Sequence, residues 1–411
     1  MAEWIMKKLK DIADFNPRES LAKGTVAKKV AMDKLQPFCR DVLGYRLEAF
    51  SGGVKFRNRD TIMARITPCL ENGKTAKISI LDDGEVGFGS TEYIVFRAKE
   101  GMDENFIYYL VCSPLVREPA LKSMVGSSGR QRVQTDVVQN LEIMVPDYDE
   151  QKKISGLLKS LDDKIAANTE LNKNLLEQAQ AILTSFFIDF SQFGGTVPDD
   201  WKQGTLQDIA NFSNGYAFKS KELLNTSKPN CYQVFKQGHI KRGGGFNSSG
   251  TKSWYPISKS SALSKYVLHK GDVLMAMTDM KDNVAILGNT ALMAVDDQYI
   301  VNQRVGLLRS NGYKSTSYAY IYLLTNSLNF LKDLRSRANS GVQVNLSSSE
   351  IKDSSVWIAN DEVNEEFNAL TEPLLSMIMT NDIENQKLID LRDTLLPKLM
   401  SGELDVSNLN L

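Results

Sequence analysis

The chain repeats itself, and that limits what it can fold into more than any other property. Trp4, Leu9, Ile12, Ala13 and Phe15 recur as Trp201, Leu206, Ile209, Ala210 and Phe212 at one fixed offset. Further on, Asn168, Asn172, Leu175, Leu176, Glu177, Ile182 and Leu183 recur as Asn381, Asn385, Leu388, Ile389, Asp390, Leu395 and Leu396. The sequence therefore reads as two copies of one unit, each a variable globular segment followed by a long helix. Two copies in one chain imply an internal pseudo-two-fold, which suits partners that come in pairs. The 411 residues exceed one compact core and fit two domains with connecting helices. The boundaries fall at 1–148, 149–190, 191–360 and 361–411, globular and helical in turn.

The helical segments carry a heptad seam. Ile154, Leu158, Leu161, Ile165, Asn168, Asn172, Leu175, Ala179, Ile182 and Phe186 follow one another in alternating steps of four and three. Phe367, Thr371, Leu374, Ile378, Asn381, Asn385, Leu388, Arg392, Leu395 and Leu399 repeat the pattern. Such a seam belongs to a helix packed lengthwise on another, and within one chain the two helices can pair if they run antiparallel. Each seam has two asparagines at its middle, where buried amides fix register because a slip leaves them unpaired. An overlap of roughly 20–30 residues spans about 30–45 Å, close to one turn of B-form DNA, so the helix pair has the dimensions of a ruler.

Charge divides along the same boundaries. Residues 198–360 carry 19 Lys and Arg against 12 Asp and Glu, and residues 1–148 carry 22 against 20, whereas residues 361–411 carry 3 against 11. The globular segments can approach a polyanion and the helical ones are repelled by it. The four cysteines lack paired spacing, and with two histidines a zinc site has too few ligands. No apolar run is long enough to cross a membrane, and charges break up the first ten residues where a signal peptide needs an apolar stretch, so a cytoplasmic location is expected.

Within the globular segments, strands are expected over residues 61–66, 76–80 and 93–97, and over 272–277, 284–287 and 305–309. Asp60-Thr61-Ile62-Met63-Ala64 matches Asp272-Val273-Leu274-Met275-Ala276, and Val95-Phe96-Arg97 matches Leu307-Leu308-Arg309. Around this framework lie Gly-, Ser- and Asn-rich loops bearing basic and amide side chains. Arginine pairs with guanine and asparagine or glutamine with adenine, so Arg57, Arg59, Arg130, Gln131, Arg132, Lys241, Arg242 and Gln343 are the candidate DNA contacts. Gly129-x-Gln131 and Gly341-x-Gln343 stand at corresponding places in this reading.

Catalytic patterns are missing. Asn72-Gly73-Lys74-Thr75 resembles the end of a phosphate-binding loop, but Pro68 stands where its first glycine is needed. No dinucleotide fingerprint, zinc-protease motif, nucleophile elbow or adenine-methyltransferase tetrapeptide occurs, so the expectation is a binding protein without catalytic, cofactor or metal residues.

Three segments resemble the specificity subunits of type I restriction-modification enzymes. Val145-Pro146-Asp147-Tyr148-Asp149-Glu150-Gln151-Lys152-Lys153-Ile154 resembles the entry to that family's central helix. Val197-Pro198-Asp199-Asp200-Trp201, with Leu206 and Ile209, resembles the start of its second recognition domain, and Leu395-Leu396-Pro397-Lys398-Leu399-Met400-Ser401-Gly402-Glu403-Leu404 its C-terminal signature. Trp4 lacks the preceding proline, and residues 359–363 lack the Pro and Gln of a helix entry. The resemblance implies an α+β fold of two similar DNA target recognition domains, separated by a long antiparallel coiled coil. It further implies that each domain reads one half of a bipartite site on double-stranded DNA. Two methyltransferase subunits would dock on the helices and restriction subunits would join them, with S-adenosylmethionine, ATP and Mg on those partners. The alternative from the residues alone is a coiled-coil adaptor joining two protein-binding domains, with no DNA role.

Overall fold

The computed structural model describes residues 4–259, 261–281, 284–340 and 343–406. The chain divides into two compact units. One contains residues 1–166 and 387–411, the other residues 167–386.

In the first unit a four-stranded antiparallel sheet has the order Ala13–Phe15, Tyr93–Ala98, Thr61–Ala64, Thr75–Lys77. Thr61–Ala64 is buried at every position, without the alternation a half-solvated strand would show, because both faces of the sheet are covered. Met63, Ile94 and Phe96 enter a core with Phe106, Tyr109 and Leu110 of the helix Glu104–Cys112. Ile62, Tyr93 and Val95 enter another with Val30, Phe56 and Ile78, beneath a second sheet ordered Arg46–Ala49, Val26–Val30, Gly87–Gly89, Lys55–Phe56. A ribbon of Ile5–Lys8 on Glu142–Val145 ties the N-terminal end to the strand that leads into the helix Tyr148–Leu183.

That helix entry is fastened by two buried side chains. Gln151 accepts the Asp103 N–H at 3.0 Å and donates to the Pro146 carbonyl at 2.9 Å. Asp103 accepts the N–H of Phe106 and the hydroxyl of Ser155, each at 2.7 Å, so one carboxylate caps a domain helix and grips the long helix. Ile154 and Leu158 pack with Leu399 and Met400 of the second long helix, Asp361–Met400. Arg392, the one charged residue of its seam, pairs with buried Asp162 at 2.8 Å, and Asp162 also accepts the Tyr109 hydroxyl at 2.8 Å.

The second unit repeats this plan. Its main sheet is ordered Ala210–Asn214, Val305–Ser310, Val273–Ala276, Thr290–Leu292, its ribbon pairs Lys202–Thr205 with Ser355–Ile358, and its second sheet runs Trp254–Pro256, Cys231–Phe235, Tyr299–Val301. Phe187 centres an aromatic core, 4.3 Å from Tyr320 and 5.1 Å from both Trp201 and Phe367. The matched Asp and Arg of the repeat meet in both units. Arg97 holds Asp60 through two bonds of 2.7 Å, and Arg309 holds Asp272 through bonds of 2.7 and 2.8 Å, both carboxylates being buried.

The strand expected over 284–287 is not formed. Asp279 accepts the backbone N–H groups of Ala285, Ile286 and Leu287 at 2.7, 2.7 and 3.2 Å, which curls that apolar stretch into a turn. Thr290–Leu292 takes the sheet position instead. The strand expected over 76–80 is shorter, Thr75–Lys77, and beyond it Ile78 still bonds Asp60 and Arg59 of the facing segment.

In the second unit the long helices pair antiparallel, 168 facing 385 and 172 facing 381. Asn168 donates to Asn385 at 3.0 Å and to Glu384 at 2.7 Å. Asn381 donates to Asn172 at 2.8 Å, and Asn172 donates to Asp382 at 3.0 Å. The amides thus form two paired polar layers, each with a carboxylate, and burial pushes the Asp382 carboxyl above its ordinary range.

Candidate nucleic-acid interface

In each unit a strand leaves the main sheet and meets a returning segment. In the second unit these are Thr278–Met280 and Gln343–Asn345, joined by Asn339–Ser340 into a small sheet. In the first, Thr67 and Gln131 exchange bonds, Thr67 N–H to the Gln131 carbonyl and Gln131 N–H to the Thr67 hydroxyl, both 3.0 Å. Ile66 bridges Arg132.

These registers shift the repeat by one residue from the match of Gly129-x-Gln131 with Gly341-x-Gln343. The Val133 N–H binds the Arg65 carbonyl at 2.8 Å as the Leu346 N–H binds that of Met277 at 2.9 Å. Arg132 therefore corresponds to Asn345 and Arg130 to Gln343. A slip of one residue moves a strand side chain to the opposite face, so this correction decides which side chains share a surface. Gly341 and Val342 lie outside the described residues.

The candidate contacts differ in how they are held. Arg57 and Arg132 are ion-paired. Arg57 bonds Glu19 at 2.7 Å, and Glu19 also receives Arg97 at 2.7 Å. The paired guanidinium holds the Glu19 carboxyl below its ordinary range. Arg132 grips Glu92 through Nε at 3.0 Å to each oxygen and Nη2 at 2.6 Å, and that grip lowers the Glu92 carboxyl likewise. Arg59, Arg130 and Arg242 are exposed, with no side-chain bond among the described residues. Lys241 is exposed too, near enough to Asp382 to favour its charged form. Gln343 is half-buried opposite Met280, its carbonyl bonded by the Asn345 amide at 3.2 Å.

The structure adds residues that sequence did not mark. Gln237 bonds both the carbonyl and the hydroxyl of Thr278, tying the loop of residues 236–245 to the small sheet. Arg335 bonds the Leu287 carbonyl at 2.8 Å and Asn289 at 3.2 Å, and Asn289 reaches the Gly243 N–H at 3.4 Å. Lys241, Arg242, Gln237, Thr278, Gln343 and Asn345 thus share one connected set of loops. His239, fully buried, accepts the Lys236 N–H at 2.9 Å, and burial lowers its pKa to about 4. No sequence signal joins Gln237 to Thr278, which lie 41 positions apart.

Among the described residues no group of three or more His, Cys, Asp or Glu is placed to hold a metal, and no helix is long and apolar enough to cross a membrane. What the site offers is hydrogen-bond donors, amides and positive charge on two similar edges. The family model for the type I restriction modification DNA specificity domain matches residues 1–178 and again 198–389, once for each repeat. The chain belongs to that family. The specificity subunit of the type I restriction enzyme MjaIX of Methanocaldococcus jannaschii is 25% identical over 328 residues, covering 76% of this chain and 71% of that protein. The HindI specificity subunit of Haemophilus influenzae is 24% identical over 372 residues, covering 77% and 81%. The crystal structure of a type I restriction-modification S subunit from M. genitalium has the same fold, with a TM-score of 0.58 at 16% identity over 99% of this chain and 97% of that one.

Proposed function

We propose that this chain is the DNA-specificity subunit of a type I restriction-modification complex, each globular unit reading one half of a bipartite duplex target. The observation that carries the reading is the double match of the DNA specificity domain, once per repeat. The loops support it. Exposed Arg130 and Arg242 have the charge for phosphate, and Gln343 and Asn345 have the donor and acceptor pair that adenine accepts. The long helices are the spacer between half-sites and the docking surface for two methyltransferase subunits, and restriction subunits complete the complex. Catalysis resides in those partners, with S-adenosylmethionine on the methyltransferase and ATP and Mg on the restriction subunit, and the complex works in the cytoplasm. The adaptor alternative has no support from the family match.

The test is to co-express the chain with its methyltransferase subunit and sequence the methylated adenines, then measure binding of the complex to duplexes carrying both half-sites or one. A two-part motif, with affinity that needs both halves and falls steeply with salt, is the expected result. Methylation without a two-part motif would contradict it.

A further inference from the structure

Corresponding positions at the two recognition edges carry opposite chemistry. The Arg65 N–H binds the Glu92 carbonyl at 2.9 Å and the Met277 N–H binds the Arg304 carbonyl at 3.3 Å, so Glu92 and Arg304 occupy the same place, each just before a central strand. In the first unit the carboxylate at that place faces Arg132. In the second the residue at that place is an exposed arginine.

An ion pair half open to water contributes little to stability, about 0–1 kcal/mol. The arrangement at Arg132 does something else, which is to fix a guanidinium. Of its five N–H groups, Glu92 takes the Nε–H and one on Nη2, leaving both on Nη1 and one on Nη2. Nη1 has no partner among the described residues, and the side chain is 48% exposed. The backbone beneath is held by the exchange between Thr67 and Gln131. The result is a two-donor fork at the end of a rigid support. Guanine offers two acceptors to such a fork, O6 and N7, whereas adenine puts a donor where the second acceptor is needed.

We infer that Arg132 reads a guanine in the half-site of the first unit, and that Glu92 is the positioning residue that sets its fork. The second unit, whose Arg304 has no side-chain partner among the described residues, uses that arginine on the phosphate backbone. This rests on the DNA-specificity reading above and names the base class that one edge recognises.

The test uses the full chain assembled with its methyltransferase subunit. Duplexes carry each of the four bases at every guanine of the half-site that changes when residues 1–148 are exchanged. The native complex should lose about tenfold or more in affinity when one such guanine is replaced. Arg132→Lys keeps the charge without the fork, and Glu92→Gln keeps the shape while loosening the support. Both should flatten discrimination at that one position, leaving the other half-site and the melting temperature unchanged. Arg304→Ala should instead weaken binding to all sequences alike and lower the salt dependence. A first half-site without guanine, full discrimination in both Arg132→Lys and Glu92→Gln, or a loss spread over both half-sites would each overturn the inference. A native complex with no sequence preference at all would instead remove the specificity-subunit reading.

Discussion

Arg57 and Arg130 look alike in sequence, both being arginines in polar loops, and the structure separates them. Arg57 is bonded to Glu19 inside a network with Arg97 and Asp60, whereas Arg130 has no side-chain partner among the described residues. Arg57→Ala should lower the melting temperature with little change in DNA affinity. Arg130→Ala should leave melting unchanged and reduce the slope of log affinity against log salt by about 1, measured by equilibrium binding of the assembled complex. His239 gives a prediction in pH. Its lowered pKa of about 4 means the folded chain prefers the neutral ring, so its stabilising effect is complete above the unfolded value near 6.5 and is lost as pH falls. Stability should therefore drop between about pH 6.5 and 4, by no more than about 3 kcal/mol from this residue. Denaturant unfolding at several pH values should find that decline reduced in His239→Gln. Chain spacing could not mark these differences. Glu92 and Arg304 were open to detection, since they follow the same repeat as Arg97 and Arg309, but their opposite charge hides the correspondence from a search for likeness.

At the scale of elements, period decided what was legible. The heptad seam predicts both long helices and puts its asparagines where they meet, because a period sustained over several turns has few other solutions. Short strands fared otherwise. Residues 284–287 have strand composition, yet three N–H groups turned to Asp279 remove them from the sheet, and no local pattern foretells that a carboxylate will capture them. Register at the recognition edge slipped by one residue for a related reason, since strand pairing rather than motif spacing sets it. The asparagine layer carries a prediction of its own. Asn172 supplies a donor to Asp382, and Asn168 one to Glu384, so replacing all four asparagines with leucine leaves carboxylates without those bonds. Loss of the donor to Asp382, whose carboxylate is desolvated by burial, should lower stability by about 1–3 kcal/mol despite the added apolar contact. A variant more stable than the native chain would show that amide-to-carboxylate bonds contribute nothing to the seam.

For the whole molecule, the internal repeat predicts two units of one plan, and sheet order, ribbon and buried Arg–Asp pair recur in both. Repetition with divergence in the loops suits a protein that reads two different half-sites with one framework. The basic balance of residues 198–360 against the acidic balance of 361–411 makes the second globular part the more attractive to a polyanion. How a loop side chain is held was not legible, because its partner can be distant in sequence, as Glu92 is from Arg132. The most direct measurement is to sequence methylated adenines in cells expressing the methyltransferase subunit with either the native chain or one whose residues 198–360 come from a homologous chain. If each unit reads its own half-site, one half of the methylated motif changes and the other stays as it was. A motif whose two halves change together would contradict it.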